Sequence, residues 1–274
     1  MTDLQILKFF ADYIEAQVGI VYTETNYFQL EHRLLDLSHQ LTLPNVDELY
    51  KKAQISIDGT FKNQLLDIAT NNETSFYRDI QVFKTLGKFI LPDILDKFSN
   101  PKHINIWSAA SSSGQEIYTI AMEMESLLKQ NSNYPTCSYF ASDISNTILK
   151  KAQEGIYSQL EVQRGLTEQM LIENFDPING SMWRIKESIR KQVTFKKINL
   201  LENWDPMGPF EIIFCRNVLI YQNVENKRKV INQLKSVLKP SGYLILGAAE
   251  SLFGITEDFE QVTDDKTIVY KKKI

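Results

Sequence analysis

The stretch Ile106-Trp107-Ser108-Ala109-Ala110-Ser111-Ser112-Ser113-Gly114-Gln115-Glu116-Ile117-Tyr118-Thr119-Ile120-Ala121-Met122 runs from a short apolar strand through a turn of small residues into a helix. A strand, a tight turn and a helix N-terminus bring several backbone N–H groups to one mouth, where a polar or anionic ligand end can satisfy them. The turn has neither the two glycine spacings of a dinucleotide fingerprint nor the Gly-Lys-Ser/Thr of a phosphate loop, which disfavours pyrophosphate and triphosphate ligands. A nucleoside without phosphates fits it better. Read locally, the same small residues are equally an ordinary loop and helix N-cap, so the rest of the chain has to decide.

Outward from this turn, strands alternate with helices. Strands are expected at His103 to Trp107, Ser138 to Ala141, Val193 to Phe195, Glu211 to Phe214 and Tyr243 to Leu246, with helices at Gly114 to Lys129, Asn146 to Gln153 and Glu225 to Leu238. Such alternation implies a doubly wound, mostly parallel α/β sheet. Phe259 to Thr263 and Thr267 to Lys271, separated by Asp264-Asp265-Lys266, read as a closing antiparallel hairpin. Residues 154–192 are too long for a simple connection and are expected to carry their own structure. Upstream, Leu4, Leu7, Phe10 and Ile14 fall on one helical face and Leu30, Leu34, Leu37 and Leu41 on another, which makes residues 1–75 a helical domain, with 76–102 as a linker and 103–274 as the sheet domain.

Composition excludes several function classes. With 43% hydrophobic and 23% charged residues the chain reads as globular. No apolar run approaches the ~20 residues of a membrane span and no basic segment leads into an apolar one at the start, so a cytoplasmic location without membrane insertion is expected. Cys137 and Cys215 lie in strand-like apolar runs and read as buried free thiols. Residues 1–75 hold 5 Lys/Arg against 11 Asp/Glu, a net −6, whereas the remainder holds 25 against 23. No basic stripe with interleaved aromatics is present, which argues against a nucleic acid partner. Lys271-Lys272-Lys273 is expected to be a solvated end, and a monomer is the default expectation.

Polar residues gather at the expected strand ends, where open α/β sheets bind ligands. Asp143 closes the second strand, where a carboxylate can accept both hydroxyls of a ribose or, alternatively, cap the following helix. Asn199-Leu200 can offer an adenine a polar edge and an apolar face, or pack as an ordinary loop. Phe214-Cys215-Arg216-Asn217-Val218-Leu219-Ile220-Tyr221 places a cation, an amide and a phenol beside a buried strand, and such groups need partners. The alternative there is an ion pair of Arg216 with a structural carboxylate and a Tyr221 that packs. The upstream segment Asn71-Asn72-Glu73-Thr74-Ser75-Phe76-Tyr77-Arg78-Asp79 carries Asn72, Thr74 and Arg78 around two aromatics and suits a loop that covers a ligand.

Taken together, Asn-Asn-Glu-Thr-Ser-Phe-Tyr-Arg-Asp, the opening stretch from Ile106, Ala-Ser-Asp-Ile, Phe-Cys-Arg-Asn-Val-Leu-Ile-Tyr and Gly-Ala-Ala-Glu-Ser-Leu occur in the order and spacing of the CheR family, the chemotaxis receptor methyltransferases. The resemblance spans nearly the whole chain, and five segments in order are highly specific. It implies a Rossmann-like S-adenosylmethionine-dependent methyltransferase sheet with a small β-subdomain inserted at about 154–192, preceded by an all-α N-terminal domain. It also implies methylation of glutamate side chains on the cytoplasmic methylation helices of chemotaxis receptors, with S-adenosylhomocysteine as the other product. By the same resemblance, the cofactor contacts fall on Asn72, Thr74, Arg78, Glu116, Asp143, Asn199, Leu200, Arg216 and Asn217, with Arg78 and Tyr221 placed beside the transferring methyl and no metal involved.

The chemistry accords with this. A glutamate, pKa ~4.3, is already ionised at pH 7, so direct displacement at the sulfonium methyl needs no general base. The opposite charges cancel as the bond forms, which a site that excludes water favours. A tight ion pair with Arg78 would blunt the nucleophile, so orientation must outweigh that loss. Two other classes compete: a small-molecule O-methyltransferase, which would not need the N-terminal helices, and a non-catalytic S-adenosylmethionine-binding module, which would not retain Arg78 and Tyr221. Two features depart from familiar members of the family. Those members resemble one another in a basic face on the N-terminal domain, whereas here Arg33 and His32 are the basic groups near the corresponding helix. The loop Asp176-Pro177-Ile178-Asn179-Gly180-Ser181 is also shorter than in members that tether to a receptor C-terminal pentapeptide, which implies a tether-independent enzyme.

Overall fold

A computed structural model describes residues 2–99, 101–204, 207–265 and 267–274. The chain opens with α1 (Leu4–Val18), α2 (Tyr27–Gln40), α3 (Val46–Ile55) and α4 (Gly59–Ala69). The Asp3 side chain accepts the Gln5 N–H and starts α1, and Asn45 does the same for α3 through the Glu48 N–H. Leu7, Phe10, Ile14, Leu30, Leu34, Leu37, Leu49 and Leu65 close on one another as a core of their own. Leu4 stays exposed and Leu41 only partly buried. Arg33 is consumed inside this unit: its guanidinium donates to the carbonyls of Ile68 and Ala69 at the end of α4 and to the Tyr22 phenol. A cation there complements the negative end of the helix dipole.

The stretch 76–102, expected as a linker, is largely helical. It forms α5 (Ile80–Thr85), one wide turn over Leu86–Ile90, and α6 (Leu91–Lys97). Phe83, Leu86, Ile90 and Ile94 recur at three- and four-residue steps and pack into the same core as the sheet residues Ile104 and Ile106. Among the described residues seven strands form the main sheet: β1 (His103–Ala109), β2 (Thr136–Asp143), β6 (Val193–Lys197), β7 (Phe210–Cys215), β8 (Leu238–Leu246), β9 (Phe259–Asp264) and β10 (Thr267–Lys272), in the order β6-β2-β1-β7-β8-β10-β9. The first five are parallel and β10 runs antiparallel to both β8 and β9. Alternation sorts their side chains: Ile212 and Phe214 join α5, α6 and α7 (Gln115–Gln130) on one face, while Ile213 and Cys215 join α12 (Val224–Val237) on the other. The β8 strand starts earlier than its sequence suggests, because its pairing with β7 is interrupted between Leu238 and Tyr243 rather than begun there. Lys266, in the expected hairpin connection, lies outside the described residues.

The insertion folds as β3 (Ile156–Ser158), α9 (Gln159–Gln163), α10 (Glu168–Asn174), β4 (Phe175–Asn179), β5 (Met182–Ile185) and α11 (Glu187–Arg190), after α8 (Asn146–Glu154). Its strands make a small antiparallel sheet, β3-β5-β4. Tyr157 and Phe175 from this sheet pack edge-on against Phe76, and the Tyr157 phenol donates to the Ser113 carbonyl at 2.8 Å.

One expectation is corrected at the far end. Lys271, Lys272 and Lys273 are not a loose solvated tail. Lys271 bonds Asp93, Lys272 donates to the carbonyls of Lys235 and Leu238, and Lys273 donates to that of Glu257; burial pulls the Lys272 ammonium below the usual lysine range. Both cysteines are free, and burial pushes the Cys137 thiol up to about 12. No helix among the described residues is long and apolar enough to cross a membrane.

The insertion meets the segment before α5 most tightly at Gly165, at φ +116, where an added Cβ would lie 1.9 Å from the Phe76 carbonyl oxygen. Gly165→Ala is expected to cost more than about 2 kcal/mol in urea unfolding. Gly59→Ala, with nothing within 4 Å of its added Cβ, should cost no more than about 1–2 kcal/mol. Equal losses would show that the joint is not tight.

Candidate cofactor site

Strand order reverses between β1 and β7, and at such a switch point an open α/β sheet leaves a crevice beyond its C-terminal strand ends. A cavity opens there with an empty volume, open mouth included, of about 1000 Å³. Asn72, Thr74, Arg78, Glu116, Asp143, Asn199, Leu200, Arg216, Asn217 and Tyr221 all line it. The N-terminal unit completes the wall with Val18 and Ile20.

The opening turn earns its small residues by its backbone. Ala110 and Ser112 sit at φ 57 and 51, and Asn217 beyond β7 sits at φ 60. Tyr77 and Asp79, on either side of Arg78, are at φ 48 and 59. Left-handed non-glycine residues cost energy and persist only where surrounding bonds over-determine them. Those bonds are present: Ser111 N–H to Ser142 O, Ser112 N–H to Asp143, Tyr77 N–H to the Thr119 hydroxyl, and Asn217 N–H to Glu250.

Asp143 is 6% exposed at the end of β2. Its Oδ2 accepts the Ser112 N–H and its Oδ1 the Ser145 N–H, each at 3.0 Å. Burial pushes its carboxyl above the usual range, and those N–H bonds pull it back. The following helix is capped instead by Ser145, whose hydroxyl accepts the Ile148 N–H, so Asp143 is not the N-cap. Each oxygen keeps a lone pair for a ligand hydroxyl.

Arg216 has partners. Its side chain is 1% exposed; it donates to Glu116 at 2.9 Å, to Asp79, and to the Arg78 carbonyl at 3.0 Å. Glu116 also accepts the Ser108 hydroxyl at 2.8 Å, so the structural ion pair weighed for Arg216 exists, and it includes Glu116. Asn199 is likewise committed: its amide donates to Gln17 O and accepts the Leu201 N–H. Arg78 donates to Glu73 O at 2.9 Å. The Thr74 and Leu200 side chains make no polar contact that fixes a role.

Two residues were missed in the sequence. Glu250, inside Gly-Ala-Ala-Glu-Ser-Leu, accepts backbone N–H groups from Asn217, Val218, Ile220 and Gly247 and so shapes the ends of β7 and β8; the motif was quoted for it, but nothing local shows a carboxylate reaching back thirty residues. Asp79 was visible only as the last letter of its segment. Among the described residues, three buried polar atoms of wall residues, Ser111 Oγ, Arg216 Nε and Gln222 Oε1, have no partner. Orphaned groups of this kind call for a ligand with complementary polar atoms, which the amino-acid and ribose parts of S-adenosylmethionine supply.

The cavity at the switch point of this sheet is lined largely by residues of the 72–268 region, whose family match makes the protein an S-adenosylmethionine-dependent methyltransferase. Residues 72–268 match the family described as CheR methyltransferase, SAM binding domain. The chain is 37% identical over 265 residues to the chemotaxis protein methyltransferase of Vibrio parahaemolyticus, covering 96% of this chain and 95% of that protein. It is 34% identical over 268 residues to chemotaxis protein methyltransferase 1 of Pseudomonas aeruginosa, covering 97% of each, and 33% identical over 239 residues to the Borreliella burgdorferi chemotaxis protein methyltransferase, covering 86% of this chain and 84% of that one. The chain belongs to the CheR methyltransferase family.

Glu250→Gln replaces one of two oxygens that each accept several backbone donors with a group that repels them. It is expected to destabilise the fold by about 1.5–3 kcal/mol and to weaken S-adenosylhomocysteine binding in calorimetry. Unchanged unfolding and binding would mean the carboxylate does not hold the strand ends.

Proposed function

We propose that this protein methylates glutamate side-chain carboxylates on the cytoplasmic helices of chemotaxis receptors. The observation that carries the reading is the chemistry the cavity wall omits: among its described lining residues there is no His, Lys or Cys. Its carboxylates are engaged, Glu73 by Arg164, Glu116 by Arg216 and Asp143 by backbone N–H groups. A wall without a free base suits an acceptor that arrives already ionised, as a glutamate does at neutral pH, and does not suit an alcohol or amine that must lose a proton.

Bound S-adenosylmethionine supplies the activated methyl, whose transfer to a carboxylate oxygen leaves a methyl ester and S-adenosylhomocysteine. Asp143 would hold the ribose hydroxyls, and the turn after β1 with the Glu116–Arg216 pair would hold the amino-acid end. Asn72, Thr74, Asn199, Leu200 and Asn217 complete the enclosure. Arg78 and Tyr221 orient the incoming carboxylate, Arg78 by its charge and Tyr221 by its phenol. Orientation of this kind replaces a costly bimolecular search.

Recognition of the receptor proceeds without a peptide tether. The β4–β5 hairpin closes through Gly180 and Ser181 alone, which supports this, and Arg33, turned inward onto α4, offers no docking charge. The acidic N-terminal unit therefore meets a receptor face less acidic than the one a basic domain would seek, or leaves docking to other surfaces.

Incubation with methyl-labelled S-adenosylmethionine and receptor cytoplasmic fragments is expected to give base-labile label. Base-stable product, or none, sinks the assignment. Arg78→Ala should lower turnover by about 10²-fold while S-adenosylhomocysteine affinity changes by less than about threefold; normal turnover would remove Arg78 from its role. Titration of the protein with a receptor C-terminal pentapeptide should show no binding, and measurable affinity would overturn tether independence.

A further inference from the structure

Tyr221 is gripped by the N-terminal unit at two points. Its carbonyl accepts the Val21 N–H at 3.0 Å, beside a bridge pairing Ile20 with Gln222. Its phenol oxygen lies 2.8 Å from Asn71 Nδ2. The direction of that bond follows from the other end of the amide, because Asn71 Oδ1 faces the Glu73 N–H at 3.4 Å. The Asn71 NH2 group is therefore the donor and the phenol oxygen the acceptor.

The backbone around Tyr221 does not need this bond. Its short helical turn, Leu219–Tyr221, is already held by Glu250 through the N–H groups of Val218 and Ile220 and by Val21. What Asn71 alone decides is where the phenolic hydrogen points. A phenol carries one hydrogen, in the ring plane, on one side of the oxygen or the other. With Asn71 donating on one side, the hydrogen is turned to the other. Both residues line the cavity.

We propose that Asn71 is a positioning residue: by donating to the Tyr221 phenol oxygen it turns the phenolic O–H into the cavity, where that O–H donates to one oxygen of the carboxylate to be methylated. No proton changes hands. Tyr221 keeps its hydrogen throughout, one carboxylate oxygen is held, and the other is left to attack. The inference rests on the carboxylate-methylation reading above. It also assigns the segment 70–79 a task that its aromatic and cationic residues had obscured, since Asn71 touches the acceptor only through Tyr221.

Asn71→Asp tests this directly. The carboxylate keeps the size of the side chain and still accepts the Glu73 N–H, but it takes the phenolic O–H for itself and turns it out of the cavity. Turnover on receptor fragments is expected to fall by at least about tenfold, with S-adenosylhomocysteine affinity within about twofold of the parent. In a Tyr221→Phe background the same change should cost nothing further. Full turnover in N71D, or an undiminished loss in the Tyr221→Phe background, overturns the proposal. A substrate-free measurement separates it from the reading it rests on. In protein labelled with ¹³Cζ-tyrosine, the Tyr221 resonance, assigned by its loss in Tyr221→Phe, should shift in N71D without any receptor present. An unmoved resonance means the bond does not exist and overturns the proposal, whatever the enzyme methylates. A shifted resonance together with no methyl ester from the parent protein would instead sink the carboxylate reading, and the positioning role with it.

Discussion

The buried guanidinium of Arg216 is the constraint on which the rest of the site depends. A charge that is 1% exposed cannot be left alone. Its two carboxylates come from distant parts of the chain: Glu116 from the first turn of α7, and Asp79 from the segment before α5. Meeting both requires the β1 turn, the end of β7 and the 70–79 segment to converge, and that convergence is the cavity. The left-handed backbone at Tyr77, Asp79, Ala110, Ser112 and Asn217 is the local distortion that this convergence demands.

The same cluster sets the electrostatic character of the pocket. One arginine set against two carboxylates leaves a negative surplus beside the cavity. Asp143 adds a further carboxyl, pushed up by burial and pulled back by backbone N–H donors. Arg78 also lines the cavity and donates to the Glu73 carbonyl. The cavity wall therefore carries both signs of charge, the carboxylates of Glu116 and Asp143 and the guanidinium of Arg78.

Much of this was legible in the chain. The alternation of strands and helices and the polar residues at Asp143 and Arg216 expose the sheet and its ligand end, because both follow from periodicity and from the cost of polar groups beside buried strands. Less legible were features that depend on distant partners. The spacing of Phe83, Leu86, Ile90 and Ile94 is helical, yet without the sheet beneath them these residues looked like a connector. Arg33 stood out in sequence as one of two basic groups near its helix, and its role became clear only with the carbonyls of α4 beside it; the three terminal lysines looked solvated until Asp93 and the end of α12 were placed near them. Asn199 presented a polar edge in sequence, but Gln17, 182 positions away, claims it.

Those long reaches also bear on how the molecule comes into being. Asn199 bonds Gln17, Gln222 bonds Val18 and Asn223 bonds Glu15, across separations of 182, 204 and 208 residues. Contacts that distant form slowly, because the intervening chain must be ordered before they repay its lost entropy. The helical unit precedes the sheet strands in the chain and has a core cluster of its own. Its share of the cofactor wall, however, stays unfinished until the strand ends near residues 199 and 222 have been made and folded. A chain cut short of those strand ends would keep every residue of the helical core and lack part of the wall that holds a methyl donor.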